Sequence, residues 1–188
     1  MKRTFFLAAV LSVLAATPAL ADAGHTMGAD LVAGLIHPFM GLDHILAMFA
    51  VGMLAVQSGG KAKIILPTLF VSGMAIGGYV GLSALSIPFM EQVIIASVIL
   101  LGIVIALGGK LPLGASALMV ITFALFHGAA HGIEMPIDTS IIAYGLGILS
   151  ATALLHAFGI GAALVAPYIL RYAGAIVAVA GMGLAVTS

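Results

Sequence analysis

His37-Pro38-Phe39-Met40-Gly41-Leu42-Asp43-His44 lies inside one long apolar stretch, and Phe126-His127-Gly128-Ala129-Ala130-His131-Gly132-Ile133-Glu134 ends another. Ionisable side chains are costly in hydrocarbon and line pathways or sites where they occur. Here they are imidazoles and carboxylates, which suit a divalent transition metal. The chemistry on offer is to hold or pass a metal ion within a bilayer.

The spacing sharpens this. On a continuous helix His37 and His44 are seven apart, nearly on one face and about two turns from each other. Pro38 donates no backbone hydrogen bond, which leaves the Gly34 carbonyl without its usual partner. Broken helices with free carbonyls are common at ion sites in transporters. Asp43 points elsewhere on an ideal helix, and it either ligates directly or orients an imidazole. Met48 is one turn beyond His44, where core filling is the simpler role. His127 and His131 are four apart, with Glu134 three further on, so all three share a face if the helix persists to Pro136. Two imidazoles one turn apart can chelate one ion. His156 sits alone in a later apolar segment, as a ligand or as a helix–helix hydrogen-bond partner. His25, near the start of the chain, offers only weak capture.

These residues must be held by membrane helices. The chain of 188 residues is 63% hydrophobic and 6% charged, against about 25% charged in a soluble domain. It has no Cys, which removes disulfides and thiolate metal sites. No basic patch suggests nucleic acid. Residues 1–21 read as a cleaved signal peptide, with Lys2 and Arg3, an apolar run, Pro18 and Ala19-Leu20-Ala21. Residues 22–188 then form one domain. Gly, Pro and charge divide it into six apolar segments, roughly 30–56, 64–85, 91–108, 113–132, 138–166 and 168–187. The expected fold is all-α, a polytopic bundle of six transmembrane helices.

With both mature termini outside, Lys61, Lys63, Lys110 and Arg171 all fall on the inner side, as the positive-inside rule requires. Asp22, Asp30, Glu91, Glu134 and Asp138 fall outside, where they either attract cations or cap short loops. On continuous helices the site residues form a ladder. Glu134 and His131 are outermost, then His37 and His127, then Asp43 and His44 near or past the midplane, and His156 deepest. Gly73, Gly77 and Gly81 make a smooth ridge for close helix packing, and a homo-oligomer stays open. Helices one to three and four to six, each opening on a two-histidine helix, suggest an inverted repeat.

The motifs H-P-x-x-G-x-D-H, followed by Ala47-Met48 and Val51-Gly52, and F-H-G-x-A-H-G-x-E, with a later His156, resemble the HupE/UreJ family of hydrogenase and urease accessory membrane proteins. The resemblance covers the full chain, with the same signal peptide and six-span layout. The spacing His37-x5-Asp43-His44 fits this family and not the broader nickel–cobalt class with its H-x4-D-H motif. The resemblance implies a nickel permease of the bacterial inner membrane, with cobalt handled by some members. It also implies that His37, Asp43, His44, His127, His131 and Glu134 carry the metal. Its partners would be the divalent ion, the lipid bilayer and cytoplasmic metallochaperones of hydrogenase or urease. No prosthetic group is expected, since Ni2+ or Co2+ is cargo, and no enzymatic activity is expected.

Three alternatives belong beside this reading. His127-x3-His131 has the ligand spacing of a zinc protease, but Gly128 stands where the catalytic Glu would be and only Glu134 could replace it. Histidine pairs across two helices also suit a bis-histidine haem. A sensor or chaperone would bind metal without moving it.

Overall fold

The computed structural model describes residues 26–83 and 87–187. The expected signal peptide and His25 lie outside the described residues. Backbone amides have no partner in hydrocarbon except one another, and chain this apolar satisfies them as helix throughout. Seven α-helices and two short 3-10 turns result among the described residues, with no strand. They are α1 (Met27–Ile36), α2 (Leu42–Ser58), α3 (Ala62–Gly81), α4 (Met90–Leu107), α5 (Leu113–Ile133), α6 (Ile141–Val165) and α7 (Leu170–Thr187). Five spans are long and apolar enough to cross a membrane, or six if the bent pair α1–α2 counts as one.

That pair corrects the expected continuous helix over 30–56. The chain leaves α1 after Ile36, makes a 3-10 turn over His37–Phe39 and re-enters helix at Leu42. The two pieces meet at 83°. Pro38 within the turn removes a donor, and Gly41 begins α2 in an extended conformation with φ −109° and ψ 121°. The ten residues of α1 reach only ~15 Å, half a bilayer core. The proline makes a corner within what reads as one apolar span.

Small residues let the helices meet backbone to backbone. A Cβ on Gly77 would lie 2.1 Å from the Leu125 carbonyl oxygen, and one on Gly81 would lie 2.2 Å from that of Ala129. From the other side, a Cβ on Gly128 would lie 2.2 Å from the Met74 carbonyl oxygen. The expected glycine ridge therefore faces α5. Gly34 and Gly147 bring α1 equally close to α6, and Gly52 and Gly159 do the same for α2 and α6. The main pairs are α3 with α5, α4 with α7, and α1–α2 with α6. Exchanging the halves converts the α3–α5 pair into the α6–α2 pair, as the inverted repeat requires. The match is partial, because α2 also packs on α3 and α4 without contacts of like extent in the second half.

The two ends of the bundle are tied separately. At one end the Gln57 amide donates to the carbonyls of Val104 and Gly109, each at 3.0 Å, and Arg171 lies against Gly108 at the C-terminus of α4. At the other end Asp30 accepts from the Ser140 backbone N–H at 2.9 Å. A carboxylate there also favours the positive N-terminus of α6.

Gly128→Ala tests this packing. The added methyl must push α3 away from α5, and overpacking of this kind costs about 1–3 kcal/mol. Thermal unfolding in detergent is expected to show a lowered midpoint. An unchanged midpoint would mean that the two helices are not tightly apposed.

Candidate metal site

The corner between α1 and α2 turns two parts of one motif toward α5. His37 sits in the 3-10 turn, while Asp43 and His44 occupy the first turn of α2. From α5 come His127 and His131, with Glu134 at its C-cap. Close α3–α5 packing fixes α5, and α6 closes the remaining side.

His131 is the hub. Its ring centroid lies 5.0 Å from that of His37 and 4.5 Å from that of His44. His44 in turn lies 5.0 Å from His127. The Nε2 of His37 donates to the Glu134 carboxylate at 3.0 Å, and this pair forms the exposed mouth. One ligand atom each from His37, His131 and Glu134 lies within 4.8 Å of the others, a trio able to close on one ion. His37 and His44 do not share a helical face as expected. They meet through His131.

Hydrogen bonds fix how the deeper rings present themselves. Asp43 Oδ1 accepts from His44 Nδ1 at 2.8 Å, and from the His44 backbone N–H at the same distance. His127 Nδ1 donates to the Phe123 carbonyl at 3.0 Å. A neutral ring held this way has its Nδ1 proton engaged and its lone pair on Nε2. Neither Nε2 has a protein hydrogen-bond partner, and neither has either ring nitrogen of His131. Buried polar atoms are normally paired, so such orphans point to water or an ion. A carboxylate behind a ligating imidazole is the usual support of a metal site, and Asp43 stands in that place toward His44.

The expected depth ladder needs correction. Because α2 starts anew at Leu42, His44 lies between His131 and His127, not beyond them. Asp43 is likewise drawn into this cluster. His156 stays apart, 1% exposed with both ring nitrogens unpartnered. Among the described residues the Phe70 ring contacts both sides, 5.6 Å from His127 and 5.1 Å from His156. Met48 is wholly buried in the apolar core.

The sequence reading passed over two contributors, Tyr144 and Phe70. Tyr144 is 2% exposed, its hydroxyl has no protein partner, and its ring lies 5.7 Å from His37. With His131, Met135 and Gly78 it lines a cavity of about 330 Å³. A buried Tyr normally finds a hydrogen-bond partner, and that is the signal a Tyr in an apolar segment could have given. Phe70 carried no signal, since nothing distinguishes it from core. Gly41, in the same motif as His37 and His44, has a specific use. A Cβ there would lie 2.6 Å from Asp43 Oδ1 and 2.9 Å from His44 Nδ1.

Gly41→Ala should therefore displace the Asp43–His44 pair while keeping the helices. Metal affinity by calorimetry is expected to fall by ~10-fold, the low end for a disturbed supporting group. Native affinity in that variant would show that the pair does not support a ligand.

Comparison with known proteins is consistent with the motifs. A family model described as "HupE / UreJ protein" matches residues 9–185. "Protein HupE" of Rhizobium leguminosarum bv. viciae is 44% identical over 177 residues, covering 91% of this chain and 93% of that protein. No solved structure matches the chain.

Proposed function

The chain belongs to the HupE/UreJ family, and from that premise we propose that it is a secondary importer of Ni2+, with Co2+ as a competing cargo. The observation that carries this reading is the convergence of His37, His131 and Glu134 at a mouth that continues inward. From there His44 and His127 present unpartnered Nε2 atoms. A binding site for storage needs one closed set of ligands. A permeant ion needs successive sites, each strong enough to replace water and weak enough to release it.

In this mechanism the exposed Glu134 carboxylate attracts the hydrated ion, and His37 and His131 replace part of its water. His131 belongs to both neighbouring sets, so the ion can pass to His44 and His127 without losing every ligand at once. Asp43 supplies negative charge where the dielectric is low and keeps Nε2 of His44 free. His156 receives the ion on the inner side. The acidic end of the bundle faces the periplasm, and the Lys61, Lys63, Lys110 and Arg171 end faces the cytoplasm. Cytoplasmic metallochaperones of hydrogenase or urease would then take the cargo. Imidazole and carboxylate suit nickel, which binds more tightly than cobalt at a generic site.

Imidazole must be neutral to ligate. Protons compete for the same lone pairs, so nickel uptake should fall as the outer pH drops from about 7.5 to about 5.5, across the ordinary range of His. The fall should appear as weakened apparent affinity and be relieved by more nickel. Initial rates that stay constant over that range would argue against ligation by histidine. Metal binding without flux would replace the importer with a sensor or chaperone.

A further inference from the structure

We propose that the Phe70 ring is the movable barrier of the permeation path, separating the histidine–carboxylate cluster from an inner ion station at His156. This rests on the importer reading and deepens it.

Phe70 is completely buried, and its ring contacts both His127 and His156, with centroids 5.6 and 5.1 Å away. Each of these histidines turns unpartnered nitrogen to its surroundings. Two unpartnered imidazoles against one aromatic ring are unexpected in a plain core. A core phenylalanine is normally surrounded by apolar groups that need no partner. A hydrophobic constriction between two wettable stations blocks ions by excluding water. A leak is prevented as long as the ring stays in place.

The sequence around Phe70 allows it to move. Pro67 lies inside α3, three residues before Phe70, and cannot donate to the Lys63 carbonyl. Proline within a helix is a common point of bending. From Gly73 onward α3 is held against α5 by close contacts at Gly73, Gly77 and Gly81. Phe70 thus falls between the weak point of α3 and its fixed part. On the neighbouring face of α3 a cavity of about 300 Å³ is bordered by Pro67, Val71 and His156. About 150 Å³ is enough to house a benzene ring, so bending of α3 at Pro67 that turned Phe70 toward this space would take the ring away from the histidines.

The test uses the full chain in proteoliposomes, with radioactive nickel for uptake and calorimetry for binding. Phe70→Ala is expected to bind nickel within about threefold of the native chain while passing it several-fold faster, with raised leak of Co2+ and Mn2+. Phe70→Trp is expected to bind equally well and pass nickel at least tenfold more slowly. Phe70→Leu, which keeps an apolar plug, should behave nearly as the native chain. If Phe70→Ala binds normally and is slower, or if binding, flux and thermal midpoint fall together in Phe70→Ala and Phe70→Trp, Phe70 is core and the proposal fails. Absence of flux in the native chain would overturn the importer reading itself, a result that is distinct from either.

Discussion

His131→Ala is expected to lower saturable nickel uptake by more than ~100-fold, to the level of empty liposomes. Removing a group that merely supports a metal ligand costs about 10–100-fold, and His131 stands where the ligands themselves meet. It is shared between His37 and Glu134 on one side and His44 on the other. Its loss breaks both the capture of the ion and its transfer inward. A hundredfold corresponds to about 2.7 kcal/mol. The fold should survive the change, because neither ring nitrogen bonds to protein and no new orphan is created. His131→Gln keeps bulk and polarity without an imidazole and should fail in the same way. Near-native uptake in either variant, with the protein folded, would remove His131 from the path.

Asp43→Ala is expected to weaken nickel binding by about 10–100-fold, and Asp43→Asn by less. The two substitutions separate geometry from charge. The amide oxygen in Asp43→Asn could still accept from His44 Nδ1, so the ring would hold its tautomer while the site lost one negative charge. Alanine loses both. In low dielectric the charge opposes the cost of bringing a divalent cation from water. The competing role is local, since Asp43 Oδ1 also accepts the His44 backbone N–H at the start of α2. If that were its whole use, Asp43→Ala would lower thermal stability and leave affinity unchanged. Calorimetric titration beside thermal unfolding distinguishes the two.

Much of this arrangement was legible in the sequence, because a membrane restricts the structures that can satisfy a backbone. The apolar segments became helices within a few residues of the expected bounds, except that 30–56 is broken in two and 64–85 ends as helix at Gly81. The Gly73–Gly81 ridge showed that a helix would approach closely, though not which one. That His127 and His131 lie on one face of α5 followed from helix period alone, and each ring packs against His44. What periodicity could not give was the corner at Pro38. A proline within an apolar run reads as a kink, and whether it becomes an 83° break depends on α6, which packs against α1 and α2 at separate points. The ladder of depths inherited that error. Each distance was counted along a helix that does not continue through His37, so Asp43 and His44 were placed too far inward. Phe70 and Tyr144 were missed for a different reason. Their interest lies in which polar groups surround them, and a single sequence does not record neighbours across helices.

The most direct measurement is uptake of radioactive nickel into proteoliposomes holding the purified chain, with Co2+ as competitor, beside the His44→Ala variant. His44 is chosen because its Nε2 is buried and unpartnered, while Asp43 holds its Nδ1 and Gly41 leaves room for that pair. The account predicts saturable uptake in the native chain, inhibited by Co2+, and uptake reduced to background in the variant. Uptake absent from the native chain despite metal binding, or undiminished in a folded His44→Ala variant, would contradict it.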